Sequence, residues 1–141
     1  MAKFIFDTNA LLYVIAAKNY HRLDANCHIL DLAFYEYGNA VLNILSRRAR
    51  GISKDEAALF MQSFREVAKF MPIIRLECEA MQPVLELAKK ERLTFYDASY
   101  LYCSQRFKYA LVTGDRKLLS AAKRAGVDAI ETARWAGTAH P

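Results

Sequence analysis

Four acidic residues occupy positions from which they could act as one group. Asp7 follows the short apolar run Phe4-Ile5-Phe6, and Asp115 stands two residues beyond Thr113, where the apolar run Tyr109-Ala110-Leu111-Val112 ends. Glu36 and Asp97 lie near the starts of two helical segments. A parallel sheet brings strand C-termini and helix N-termini to the same edge, where ligands of such folds bind. Four carboxylates gathered there would raise one another's pKa. A hard divalent cation, Mg2+ or Mn2+, is the natural compensation, because it accepts carboxylate oxygens and keeps several waters. The plainer reading of each acid is a helix cap, or for Glu36 a solvated helix residue, and spacing alone leaves both readings open. Histidine offers no competing site, since His21, His28 and His140 share neither spacing nor strand-end placement. Cys27, Cys78 and Cys103 form no CxxC or Cys/His cluster, which argues against a disulfide framework or structural zinc.

The elements that would position these acids are legible as alternating short strands and helices. After the first strand, Ala10–Ala17 is long enough for two helical turns, capped by Asp7 or Thr8. Residues 18–26 are polar and connect onward. Ile29–Phe34 is either a second strand or a helix turn. From Tyr35 the period is helical, with Val41, Leu42, Leu45 and Ala49 as the apolar stripe and Glu36, Asn39 and Asn43 on the adjoining polar face. Arg47-Arg48-Ala49-Arg50 reads as that helix's C-terminus, with Gly51 as its stop. Ser53-Lys54-Asp55-Glu56 is a capping box for a helix running to about Phe70, with Ala57, Phe60, Met61, Phe64 and Val67 as its stripe. Pro72–Leu76 is a strand candidate. The helix after it contains Pro83, so it either kinks or begins its first turn there. Asp97 caps or opens a further helix, residues 116–124 form a basic one, and Val127–Ile130 is a last strand. This alternation predicts an α/β fold, a three-layer α/β/α sandwich around a central, mostly parallel sheet. Residues 1–131 are expected to form one domain and 132–141 a loose C-terminal tail.

A chain of 141 residues and 16.1 kDa, 54% hydrophobic and 25% charged, excludes a disordered or collagen-like protein. Its apolar runs are cut by charge and fall short of the 18 or more residues of a membrane span. Lys3 is followed by only three apolar residues before Asp7, unlike a secretory signal, so a cytoplasmic location without membrane attachment is expected. Twenty Lys and Arg against fifteen Asp and Glu give +5. If the four acids form one cluster, the rest of the chain has a basic excess of nine, grouped around Arg47–Arg50, Lys89–Arg92 and residues 116–124. A basic exterior around an acidic pocket suits a nuclease. Basic residues near helix C-termini also complement the dipole.

Three phrases in order, Phe6-Asp7-Thr8-Asn9-Ala10-Leu11, Tyr96-Asp97-Ala98-Ser99-Tyr100-Leu101 and Leu111-Val112-Thr113-Gly114-Asp115-Arg116-Lys117-Leu118, closely resemble the PIN-domain family. Length and order are similar to the VapC toxins of toxin–antitoxin pairs, from Lys3 to about Glu131. The resemblance implies a metal-dependent endoribonuclease that hydrolyses RNA phosphodiester bonds. It assigns Asp7, Glu36, Asp97 and Asp115 to catalysis and to one or two Mg2+ or Mn2+ ions, and Asn9 and Thr113 to supporting hydrogen bonds. Some relatives have a further acid two positions beyond the fourth, where this chain has Lys117, which implies one tight ion and one weak or substrate-supplied ion. The segment between Asp7 and Glu36 is short and would reshape the substrate groove.

The same resemblance implies three partners: RNA, a cognate VapB-like antitoxin lying across the groove, and a second copy of the chain in a homodimer. Tyr20, Tyr35, Tyr37, Phe60 and Phe64 are candidates for those protein contacts, or for the core. The alternative function is a non-catalytic PIN-like adaptor that binds RNA or protein, which loss of site acids would mark; none is lost. Phosphoryl-transfer folds with an early Asp fit poorly, because Asn9 stands where a dehalogenase-like phosphatase has its second Asp, and Asp7 lacks the acidic neighbour of a receiver domain.

Overall fold

Successive residues along a strand face opposite layers, and this chain supplies apolar side chains to both. In the computed structural model, which describes residues 2–137, Phe6, Ile29 and Val112 point into one layer while Ile5, Leu30 and Leu111 point into the other, all six buried. They belong to β1 (Phe4–Phe6), β2 (Cys27–Leu30) and β4 (Ala110–Thr113). With β3 (Ile73–Ile74) and β5 (Ala129–Glu131) they form a five-stranded sheet in the order β3-β2-β1-β4-β5, every pair parallel.

Helices cover both faces. The layer on the Phe6 side holds α1 (Thr8–Ala16), α2 (Leu32–Leu45), α3 (Lys54–Ala68) and α7 (Thr132–Gly137). The other holds α5 (Phe95–Phe107) and α6 (Arg116–Arg124) against the sheet, with α4 (Met81–Glu91) packed on α5 through Val84, Ala88 and Ala98. The expected three-layer α/β/α sandwich is therefore what the chain forms. Its order places a topological switch point between β1 and β4: the chain runs outward from β1 through β2 to β3, then returns to β4 on the far side of β1. Ligand crevices of such sheets open there.

Several local expectations change. The undecided segment around Ile29–Phe34 is both things in turn, strand to Leu30 and helix from Leu32, with the Asp31 carboxylate accepting from Leu32 N at 3.0 Å. Helix α2 ends at Leu45, before the arginines. Its core stripe is Ala33, Tyr37 and Val41, and Leu42 faces outward. Gly51 folds back on the carbonyls of Ile44 and Arg47 so closely that a Cβ would meet them at 3.0 and 2.6 Å, so glycine is needed for close approach rather than as a helix stop. The capping box of α3 is present as expected, but Met61 is exposed. Pro83 lies in the first turn of α4. The cap of α5 is Thr94, with Asp97 in the first turn. Of the aromatic residues considered for partner contacts, Tyr37 and Phe64 are core: Tyr37 donates to the Phe60 carbonyl at 2.7 Å and packs on Phe64.

The largest difference is at the C-terminus. Residues 132–137, read as the start of a tail, form α7, and Trp135 is 3% exposed. Its ring meets Phe6 edge-on at 4.7 Å and Phe4 at 6.3 Å, with the Arg22 guanidinium over the ring at 5.1 Å from its centroid. Arg22 also donates to the Ala136 carbonyl. Sequence periodicity misses so short a helix. Residues 138–141, His140 included, lie outside the described residues. Removing an aromatic side chain this deeply packed costs about 3–5 kcal/mol. Trp135→Ala, or truncation after Glu131, should therefore lower the melting temperature by on the order of 10 °C. Thermal denaturation followed by circular dichroism checks this, and an unchanged midpoint would show that α7 lies outside the cooperative unit.

Candidate active site

Strand β1 ends by delivering Asp7 to the C-terminal edge of the sheet beside the end of β4, and both carboxylate oxygens are engaged there. Oδ1 accepts from Ala10 N at 2.8 Å, which makes Asp7 the N-cap of α1. Oδ2 accepts from the Thr113 hydroxyl. Thr113 is fully buried, and its Oγ1 also accepts from Asp115 N at 3.1 Å, so one hydroxyl links the acids that end β1 and β4. Burial pushes the Asp7 carboxyl up to about 6, opposed by the hydrogen bonds from Thr113 and Ala10 and reinforced by the charges of Asp97 and Asp115.

Glu36 comes from the second turn of α2. Its Oε1 accepts from the Thr8 hydroxyl at 2.8 Å and from the Tyr100 hydroxyl at 2.8 Å, while those two hydroxyls lie 3.0 Å apart. This triangle joins α1, α2 and α5 across the top of the sheet. Burial raises the Tyr100 hydroxyl far above its ordinary range, so it stays a donor to the carboxylate.

Asp97 rises from the first turn of α5, its pKa raised by burial and then by Asp115 and Glu36, with Lys117 pulling the other way. The Asp115 Oδ1 caps α6, accepting from Lys117 N at 2.8 Å and Leu118 N at 3.1 Å. Asp7, Thr8, Asn9, Glu36, Asn39, Ala40, Asn43, Asp97 and Tyr100 line a cavity of about 230 Å³. Asp115 is not among its lining residues but acts on Asp7 and Asp97 through its charge. Three of the four acids singled out from sequence thus share one cavity and the fourth borders it. Asn9 lines the cavity, and Thr113 lies beneath as the support of Asp7.

The sequence marks Thr8 only as a possible helix cap and gives Tyr100 no chemical role. Tyr100 follows Asp97 by three residues, the spacing of one helix face, but an aromatic at that spacing reads first as core. Of the three basic groups, the one on α6 is partly structural: Arg124 Nε donates to Glu91 Oε1 at 2.8 Å, tying α6 to the end of α4. Arg47, Arg48 and Arg50 lie beyond the end of α2 and are exposed.

The donor set suits a hard cation. The cavity presents carboxylate, amide and hydroxyl groups without thiol or imidazole, the preference of Mg2+ and Mn2+. Among the described residues no three His, Cys, Asp or Glu side chains stand close enough to ligate one ion together. The chemistry fits an ion of the Mg2+ kind, which usually takes one or two carboxylates and retains several waters.

The raised acids set a pH dependence. The unfolded chain loses the Asp7 proton near 3.8 and the folded chain near 6, so ionising it costs on the order of 2–3 kcal/mol of stability. Stability without metal falls as pH rises through that window, and Asp97 contributes with the same sign. In the presence of chelator, Asp7→Asn should melt several degrees above the unsubstituted protein near neutral pH, with the difference disappearing towards pH 4. Melting curves at the two pH values check it; a less stable variant at neutral pH would contradict the account of Asp7.

No protein-family profile matches the sequence. Exonuclease VapC9 of Pyrobaculum aerophilum is 36% identical over 132 residues, covering 92% of each chain. Ribonuclease VapC3 of the same organism is 32% identical over 92 residues, 64% of this chain and 67% of that protein. Among solved structures, PAE2754 from Pyrobaculum aerophilum superposes with a TM-score of 0.73 at 30% identity, covering 97% of this chain and 98% of its own. A toxin–antitoxin complex from Klebsiella pneumoniae shares the fold, with a TM-score of 0.61 at 15% identity over 84% of this chain and 91% of that one. The five-stranded parallel sheet with acids at its switch point, together with similarity to VapC9 along nearly the whole of both sequences, shows that the chain belongs to the VapC family of PIN-domain proteins.

Proposed function

We propose that this protein is a divalent-metal-dependent endoribonuclease and the toxin of a toxin–antitoxin pair. The observation that carries the reading is the gathering of Asp7, Glu36 and Asp97 around one cavity, with Asp115 at its border, in a chain so similar to a protein named an exonuclease. When bound, Mg2+ or Mn2+ would lower the pKa of a water and offset the charge that grows on the phosphate oxygens. Asp7, Asp97 and Asp115 would hold the ion directly or through water, and Glu36 would complete its surroundings or orient the attacking water. The Thr113 hydroxyl holds Asp7 in one orientation, and Thr8 and Tyr100 do the same for Glu36. Such hydrogen bonds to ligand carboxylates matter because they fix the donor geometry in advance. Attack on phosphorus with departure of the 3′ oxygen would leave a 5′-phosphate.

VapC9 is named an exonuclease and VapC3 a ribonuclease. For this chain we favour internal cleavage, which is what the resemblance of the Asp7, Asp97 and Asp115 phrases to PIN-domain endoribonucleases implies. The toxin role adds a VapB-like antitoxin and a second copy of the chain as partners. Exposed Leu59, Met61 and Phe70 and the adjoining grooves along α3, of about 400 and 470 Å³, offer apolar surface for one of these contacts.

Purified protein with Mn2+ or Mg2+ should cut total RNA into discrete fragments, and chelator should abolish the cutting. Asp97→Asn, with an unchanged circular dichroism spectrum, should lose at least about a hundredfold in rate. A circularised RNA separates the two modes: opening of the circle supports internal cleavage, whereas an intact circle beside degraded linear RNA would show action from an end. Full activity in Asp97→Asn would overturn the assignment of the site.

A further inference from the structure

The acids that come from α2 and α5 share a pattern. Glu36 is immediately preceded by Tyr35 and Asp97 by Tyr96. Each tyrosine also stands four residues ahead of a side chain that lines the cavity, Tyr35 before Asn39 and Tyr96 before Tyr100. Residues four apart share a helix face, so both tyrosines lie one turn outward from the cavity wall. They reach it from helices on opposite faces of the sheet.

Among the described residues no hydrogen bond or aromatic contact engages these two rings. Tyr35 is 81% exposed and Tyr96 56% exposed, and neither hydroxyl bonds to another described residue. Their neighbours behave otherwise: Tyr37 fills the core and Tyr100 holds Glu36. A single exposed aromatic is ordinary, but two placed alike, each beside a cavity acid, point to a flat apolar ligand on either side of the site.

The surrounding charge favours a nucleic acid strand as that ligand. Asn39 and Asn43 continue the line of Tyr35 along α2, and four residues beyond Asn43 come Arg47 and then Arg48 and Arg50, all exposed. On the other side Lys117 lies near enough to Asp97 to lower its pKa. An acidic centre with aromatic sides and cationic ends matches a strand whose phosphates meet the cations and whose bases turn onto the rings. A duplex keeps its base faces stacked inside, whereas unpaired RNA offers them to aromatic side chains.

We propose that Tyr35 and Tyr96 are the residues that stack on the bases flanking the scissile phosphate, one from each helical layer. This rests on the nuclease reading above. The probe is a short single-stranded RNA containing 2-aminopurine, whose fluorescence falls on stacking, beside the same strand annealed to its complement. Ca2+ replaces Mg2+, so that the carboxylate site can be filled and binding is read apart from cleavage. The single strand should bind better than the duplex and be quenched. Tyr35→Ala and Tyr96→Ala should each weaken its binding roughly tenfold and relieve the quenching, the loss expected of one base–aromatic stack. Tyr35→Phe and Tyr96→Phe should restore both, and Leu85→Ala, at an exposed position on α4, should change neither. If the protein binds or cleaves RNA but the alanine variants bind it unchanged, the stacking role is overturned while the nuclease survives. The same holds if those variants lose affinity only for a protein partner. If the protein neither binds nor cleaves any RNA, both readings fall.

Discussion

The site depends on one buried carboxylate. Asp7 ends β1, caps α1 through Ala10 N and accepts the hydroxyl of Thr113 at the end of β4, so a single side chain joins a strand, a helix and the neighbouring strand. These are the hydrogen bonds a helix N-terminus and a strand end need anyway. What is unusual is that the group meeting them is charged, buried and close to other acids. Asp115 repeats the arrangement one strand over, ending its own strand–helix connection and capping α6. Part of each acid's role is thus structural, and the cap reading and the site reading describe the same atoms.

The Glu36 triangle does different work. Asp7 and Asp115 are placed by backbone continuity with strands, but Glu36 comes from a helix layer and would otherwise sweep several ångströms. Hydroxyls from α1 and α5 hold one of its oxygens at 2.8 Å each, and α5 lies on the other side of the sheet from α2. The two helical layers are therefore coupled at the cavity through polar contacts, while away from it they are separated by the apolar sheet. Burial of the carboxyls, and after it repulsion among the acids, opposes this gathering, as the raised Asp7 and Asp97 carboxyls show. Packing of the layers below offsets that repulsion: Phe6 and Val112 lie beneath the site against α1 and α7, and Ile5 and Leu111 against α5 and α6.

Helix α7 belongs to this support. Trp135 buttresses β1 by meeting Phe4 and Phe6 edge-on, and Phe6 is the residue before Asp7. The last described segment of the chain thereby braces the strand that delivers the central acid.

Much of this was determined by sequence alone. Short apolar runs ending in Asp7 and in Thr113-Gly114-Asp115 mark strand ends, alternation with helical stripes implies a parallel sheet, and that topology brings the acids to one edge. The capping box at Ser53 is a local hydrogen-bond pattern and is found as read. Other features depended on contacts distant in the chain. Helix α2 stops at Leu45, and Gly51 packs against the carbonyls of Ile44 and Arg47 at its end, a contact that periodicity does not encode. Tyr37 and Tyr35 differ by two positions, but one fills the core and the other faces solvent, because only one is directed at α3. Trp135 is core only because Phe4 and Phe6 lie beside it, and Tyr100 is a donor to Glu36 only because α5 crosses the sheet edge opposite α2. Chain-local chemistry is written in neighbouring residues. Which side chains meet across 64 or 92 positions is decided only when the two layers close on the sheet.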